Sequence, residues 1–472
     1  MSKLNPTIKN SSIDTSVRLA GGDGAYAAKE TNIQQLRRVV LANLLWEDSA
    51  YIDGKTTASI IQDLIPKCKP EDVANVAVEA RVMQKLRHTP LFIVNEMAKY
   101  NEMKPYVKEI LPKIITRADM LTDYIALYWK DGKKPIPNCV KKGIAEAFHN
   151  FNEYHFAKYD KDTTVKLRDV MFMCHPKART QEEIALYKKI AERNLSTPDT
   201  WEVAISSTQD KKAEWTRLIE EKKLGGLAFL RNMNNFKQNS VDKKVIKNGL
   251  KNLNGSMLLP LDYLKAAEYA PEFKKEISDS MVESYKKLPK LPGRTLFIVD
   301  CSGSMGCTIS YKSKFTRQQV ANAMAMLAAN QCEDYELVCT AGNDSSRTGK
   351  HQWLQYSSTG FDLLEQINTA KSNLGGGGIF TRQVLEWCKS QPFANKGFDR
   401  IIVFSDSQDC DYPDMRTPNP FGAKNYICDV SSESHGVNYK GKWTAEITGW
   451  SEHFLTYIAA LEGIQNTFNQ DN

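Results

Sequence analysis

From about Thr31 to about Lys287 apolar residues recur at intervals of three and four, as in IQQLRRVVLANLLW, VANVAVEARVMQKL and VKKGIAEAFHNF. That spacing lays an apolar stripe along one side of an α-helix. Pro70, Pro105, Pro137, Pro176 and Pro198 stand at or near helix starts, and Asp131-Gly132, Gly225-Gly226 and Asn254-Gly255 mark turns. Helices of about 12 to 18 residues joined by short loops, with no strand pattern among them, predict antiparallel pairs stacked as an α-solenoid over 31–287. No crisp repeat signature accompanies them, so this reading rests on helix lengths. Residues 1–30 are read as an N-terminal arm.

After Leu291-Pro292-Gly293 the pattern changes to alternating strands and helices: TLFIVD, RQQVANAMAMLAANQ, YELVCTA, TRQVLEWCKS and RIIVFSD follow in turn. Continuous apolar strands separated by helices predict a doubly wound parallel sheet, covered on both faces, over 291–472. NYICDV reads as one more strand and SEHFLTYIAALEGIQNTF as a closing helix. Residues 411–424 and 431–450 are expected to be loops or irregular hairpins.

Composition adds a division of charge. The chain has 472 residues and a net charge of +7, with 15 Lys/Arg against 19 Asp/Glu from Leu291 onward and 48 against 37 before it. The positive excess therefore belongs to the helical part; its plain reading is a solvated helix surface, its functional reading a polyanion partner. Ten scattered cysteines with no CxxC pair suit reduced thiols rather than a disulfide framework or a zinc site. No apolar leader or uninterrupted apolar span of membrane length is present, so a cytoplasmic protein without a membrane partner is expected.

Candidate chemistry sits at the end of the first strand. Asp300, Ser302 and Ser304 in DCSGS place a carboxylate and two hydroxyls at alternate positions of one turn, at the carboxyl end of a strand where open sheets bind ligands. Three hard oxygens aimed at one point suit Mg²⁺; the alternative is a helix cap built from the same side chains. The DxSxS pattern resembles the metal-ion-dependent adhesion site of von Willebrand A domains. On that resemblance Asp406, closing IIVFSD, is the distal acid, and the glycine loop NLGGGG leads to the ligand threonine. Ile379 stands where that threonine belongs, leaving Thr381 to serve only after a shift of the loop. Asp409, in the same loop as Asp406, is read as an exposed acid. No nucleophile elbow, phosphate-binding lysine loop or zinc-protease motif is present, and a nuclease would want a second metal and a base, so an enzyme is not expected.

The helical part narrows the function. VRLAGGDGAYAAKETN, LRHTPLFIV, KKGIAEAFHNFNEYHFAKYDKDTTVKLRDVMFMCHPK and LGGLAFLRNM, in that order ahead of the DxSxS strand, resemble the TROVE module of the Ro ribonucleoprotein family. The resemblance implies HEAT-like helical repeats closed into a ring by the A-like domain, with the arm packing on it. It further implies that 3′ ends of misfolded noncoding RNA enter the hole, that small Y-like RNAs bind outside, and that an exoribonuclease works alongside in bacterial relatives. A ring closed by one chain favours a monomer.

The candidate RNA residues are Lys133, Lys134, Lys141, Lys142, Lys166, Arg168, His175, Lys177 and Arg179, interleaved with Trp129, Tyr154 and Tyr159. Cations meet phosphates and aromatic rings stack bases. Arg168 and His175 match family positions that contact RNA, while Phe172 replaces the usual arginine. The plainer readings are that Tyr154, Tyr159 and Phe172 are core, that His175 ends a helix, that Arg87-His88 shapes a loop, and that RLAGGDGAY is a turn. The rival function is a protein-interaction module, in which the Mg²⁺ of the DxSxS turn accepts a partner's carboxylate and the helices are scaffold.

Overall fold

Pro70, Lys104-Pro105 and Asn138 after Pro137 begin helices as the sequence predicts, since proline suits a first turn whose N–H groups have no partner. The computed structural model describes residues 31–41, 54–82, 86–160, 163–255, 258–286, 290–309, 315–355, 358–406, 410, 419–430, 443–448 and 454–464. The arm expected over residues 1–30, its glycine-rich segment and Asp409 lie outside them.

The first helices are α1 Asn32–Leu41, α2 Gly54–Leu64, α3 Pro70–Val82, α4 His88–Met97, α5 Lys104–Ile114, α6 Asp119–Tyr128, α7 Asn138–Ala147, α8 Glu153–Tyr159 and α9 Leu167–Cys174. α10 Gln181–Glu192, α11 Trp201–Ser207 and α12 Lys211–Glu220 follow. Most are shorter than expected, and His175, Arg193 and Lys222 end or follow helices in the left-handed region without a glycine to announce it. α3 packs on α5, α5 on α7 and α7 on α9, while α4 packs on α6. This alternation of two layers is the stacking of a helical-repeat array. Neighbours within a layer approach closely: a Cβ on Gly143 of α7 would lie 2.7 Å from Leu111 of α5.

The chain forms two compact units, one of residues 32–40 with 59–223, the other including 224–472. Strands begin at Leu291 as expected, but the second unit also takes in α13 Gly226–Arg231, α14 Met233–Gln238, α15 Lys243–Lys251, α16 Pro260–Tyr269 and α17 Lys274–Lys286. The cause is α18, Arg317–Gln331, whose residues are buried on every side except at Gln319. Its alternating alanines let α16, α17 and α19 (Gly360–Leu374) approach on one side and the sheet on the other.

The sheet has strands β1 Leu291–Asp300, β2 Cys332–Asn343, β3 Thr348–Trp353, β4 Arg400–Ser405, β5 Lys424–Asp429 and β6 Ala445–Thr448, in the order β3-β2-β1-β4-β5-β6. All pairs are parallel except β2 with β3. One face (Leu296, Ile298, Val338, Val403) packs with Val384 and Leu385 of α20, Thr381–Ser390. On the other, the Phe297 and Phe404 rings stack at 6.0 Å and Phe404 meets Phe454 of α21, Phe454–Leu461, at 5.6 Å. One expectation needed correction: β6 lies within a segment read as irregular. β3, antiparallel to β2, was not among the expected strands, because its polar residues, half-exposed or exposed, give no apolar alternation.

Candidate nucleic-acid interface and the DxSxS turn

α9 buries Leu167, Val170, Met171 and Cys174 and turns Arg168, Phe172 and His175 outward, as residues three and four apart share a face. The Arg168 guanidinium lies 5.4 Å from the Phe172 ring centroid. His175 closes the helix with φ +51°, its N–H donating to the Met171 carbonyl at 2.9 Å, so the helix-ending reading holds for its backbone. Its ring is exposed. The loop into α10 is fixed by Glu183, whose carboxylate accepts from the Arg179 N–H at 2.5 Å and meets His149 Nδ1 at 2.7 Å. These two bonds, the first above all, hold its carboxyl below the usual range. The Arg179 side chain bonds Glu146 of α7, so its charge is already matched.

Lys142 lies one turn before Glu146, and Lys141 is close enough to Cys174 to pull against the burial that pushes that thiol up to about 12. Lys141, Lys142, His175, Lys177 and Arg179 thus gather where α7, the end of α9 and the loop to α10 meet. Lys133 and Lys134 belong to a separate turn, over the rings of Trp129 at 5.5 Å and Tyr128 at 4.5 Å. That turn is held by Trp129 Nε1–H donating to the Lys134 carbonyl at 2.8 Å. Lys166 sits at the far end of α9, at its N-cap. Among the described residues no carboxylate forms an ion pair with Lys133, Lys134, Lys141, Lys142, Arg168 or Lys177.

The aromatic residues depart from their core reading. Tyr154 is 41% and Phe172 47% exposed, while Tyr159 is half-buried under the Arg117 guanidinium at 4.8 Å. α8 is too short to bury more than one stripe, and Phe156 takes it. Arg87 does shape its loop, bonding Asp119 at 2.7 Å and Asp123 at 2.6 Å.

In the second unit Asp300 ends β1 fully buried. Its Oδ1 accepts from the Ser302 N–H and its Oδ2 from the Ser405 hydroxyl, each at 2.7 Å, and the Ser302 and Ser304 hydroxyls are 3.2 Å apart. Asp406, also fully buried, follows β4 and bonds Arg317 Nη1 through its Oδ2 at 2.9 Å. Burial first and the Asp406 charge second push the Asp300 carboxyl above the usual range. The glycine loop lies alongside, with the Gly303 N–H donating to the Gly377 carbonyl at 3.3 Å. Thr381 is buried at the start of α20 and Ile379 just before it. The chemistry of this donor set suits a hard divalent cation, with the Asp300 carboxylate and the Ser302 and Ser304 hydroxyls in one turn and one guanidinium facing two buried carboxyl groups.

Arg317 and Gln318 are the residues that sequence reasoning passed over. Gln318 Nε2 donates to the Asp300 carbonyl at 3.0 Å and to Asn322 Oδ1 at 2.9 Å. Their signal was a polar RQQ at the head of an otherwise apolar helix.

Residues 192–336 match the family model of the TROVE domain, a stretch holding β1, the DxSxS turn and α18 but not the 133–179 cations. The chain is also similar to the Ro (RSR) protein of Deinococcus radiodurans, whose crystal structure superposes with a TM-score of 0.63 over 92% of this chain and 100% of that one at 15% identity. That likeness shows the fold. No curated protein matches the sequence.

Proposed function

We propose that this chain, which carries a TROVE domain and has the fold of a Ro protein, is an RNA-binding protein that holds single-stranded RNA on the cationic surface of α7, α9 and the loop to α10. One observation carries the reading: Lys141, Lys142, Arg168 and Lys177 have no acidic partner among the described residues, and Arg168 lies over an exposed aromatic ring, Phe172. Unmatched cations supply counterion release on binding phosphate, and Phe172 supplies a face for a base in place of the family's arginine. His175 joins them on the same face. Lys133 and Lys134, in their separate turn and each backed by an aromatic ring, and Lys166 at the start of α9 are further phosphate contacts in this reading.

Within this reading the RNAs are 3′ ends of misfolded noncoding RNA and a small Y-like RNA, in the cytoplasm, with an exoribonuclease as the further partner. Asp300, Ser302 and Ser304 would hold Mg²⁺, with Asp406 and Thr381 completing the shell. The ion would supply charge neutralisation between β1 and β4.

The purified full-length protein carries its own test. Its ultraviolet absorbance ratio and the nucleic acid extracted from it should reveal RNA, and 3′-tailed RNA should bind in gel shift at low salt. Protein free of RNA that ignores such a probe would instead favour the DxSxS turn as a docking point for a partner's carboxylate.

A further inference from the structure

Between α9 and α10 the chain carries His175 and Lys177 on a segment, 175–180, that is neither helix nor strand. Both of its ends are tied. The His175 N–H donates to the Met171 carbonyl at 2.9 Å, and the Arg179 N–H donates to Glu183 Oε2 at 2.5 Å. Thr180 caps α10, its hydroxyl accepting from the Glu183 N–H at 3.2 Å. Between the ties Lys177 is exposed and makes no ion pair with a described residue.

The far end of the Glu183 tie is firmly held. Glu183 Oε1 lies 2.7 Å from Nδ1 of His149, in the turn Phe148–Asn150 that follows α7. Phe148 is fully buried and meets the Tyr187 ring of α10 edge-on at 6.0 Å. Asn150 Nδ2 donates to the Pro112 and Ile115 carbonyls, at the end of α5, at 2.7 and 3.1 Å. One carboxylate therefore bridges the cationic loop to a turn pinned on α5 and α10.

Charge and geometry give Glu183 opposite effects on a polyanion. As a charge, a carboxylate bonded to a cationic loop repels phosphate and weakens binding. As a bridge, it orders the loop during folding, so that binding does not have to supply that order.

We infer that Glu183 is a positioning residue for RNA: it ties the 175–180 loop to His149, holds His175 and Lys177 in place for phosphate, and helps binding more by this tie than it hinders it by repulsion. The inference rests on the α7–α9 surface being the RNA site.

The test compares Glu183→Gln with Glu183→Ala in the full-length protein, by filter binding of a 3′-tailed RNA. Both substitutions remove the charge. Glutamine keeps the bridge, its amide oxygen accepting from the Arg179 N–H and its NH₂ donating to His149 Nδ1 in the matching tautomer, whereas alanine cuts it. Glu183→Gln should bind RNA severalfold more tightly than the parent, and Glu183→Ala about tenfold more weakly than Glu183→Gln. His149→Ala, which cuts the bridge from its other side, should also weaken binding. Amide hydrogen exchange over 175–180 should be faster in Glu183→Ala than in Glu183→Gln, with circular dichroism unchanged. In a chain that already carries His175→Ala and Lys177→Ala, the difference between the two variants should shrink to about twofold or less, because the bridge acts through those side chains. The inference is overturned if Glu183→Ala binds as tightly as Glu183→Gln, or if their difference survives the loss of both loop side chains. A parent that binds no 3′-tailed RNA removes the RNA reading itself, whereas equal variants of a parent that does bind remove only the positioning role.

Discussion

His175 shows how one residue can serve the fold and the ligand by different parts. Its backbone takes φ +51° to end α9, a conformation costing a non-glycine residue roughly 1 kcal/mol, while its exposed ring is free for RNA. His175→Gly is therefore expected to raise stability in urea unfolding by up to about 1 kcal/mol and to lower RNA affinity. A gain in stability with RNA binding intact would remove the imidazole from the site. Arg168→Glu with Lys177→Glu should leave the helical circular dichroism unchanged and weaken RNA binding more at low salt than at high salt. Arg317 poses the opposite case, a cation that folding needs because it faces the buried Asp406 at 2.9 Å. Removing it as Arg317→Gln should cost about 3–5 kcal/mol, since it strands a buried carboxylate. Added Mg²⁺ should then raise the melting temperature of that variant more than that of the parent, and Asp300→Ala should abolish the parent's shift. Identical Mg²⁺ responses in Arg317→Gln and parent would show that the ion does not sit between these carboxylates.

Among the elements, β3 carries a pH dependence of its own. His351 places Nδ1 2.9 Å from the Thr340 hydroxyl, packs its ring 5.4 Å from Trp387, and is pushed by burial from 6.5 down to about 4. The folded chain favours the neutral ring, so its contribution is fully present above pH 6.5 and is lost as pH falls from there toward 4. At the acid limit the loss approaches about 3 kcal/mol. Chemical denaturation at pH 7 and pH 4.5 should show that slope in the parent and a shallower one in His351→Gln. Equal slopes would mean the ring is solvated in the folded chain. β3 was also the element least legible in the sequence, because an edge strand written TGKHQW has too few apolar positions to alternate. The buried strands β1, β4 and β5 were legible for the converse reason, as each holds adjacent apolar residues, LFIV, IIVF and YIC. Helix starts were readable from their prolines, whereas helix ends at His175, Arg193 and Lys222 were not, since nothing in those side chains signals a left-handed residue. At the candidate sites, the three residues of DCSGS could be read from one turn. Arg317 could not, because its pairing with Asp406 spans 89 positions and depends on α18 being buried all round.

For the whole molecule the decisive quantity is how charge is divided between its two sequence halves. The residues before Leu291 carry 48 Lys/Arg against 37 Asp/Glu, and those from Leu291 onward 15 against 19, so the net +7 understates the field on the helical side. On the proposed RNA-binding reading, a strand of RNA is attracted more by the residues before Leu291 than by those after it. If about five phosphates are neutralised there, log K should fall with log salt at a slope near −3.5, or roughly a hundredfold loss between 50 and 200 mM salt. Filter binding of a 3′-tailed RNA across that range measures the slope directly. Each reversed cation at Arg168 or Lys177 should flatten it by about 0.7 or more. A loss of only a few-fold over the same range would mean that stacking on Phe172 and its neighbours, rather than the unmatched lysines, holds the strand, and the affinity of Phe172→Ala would then be the measurement that follows.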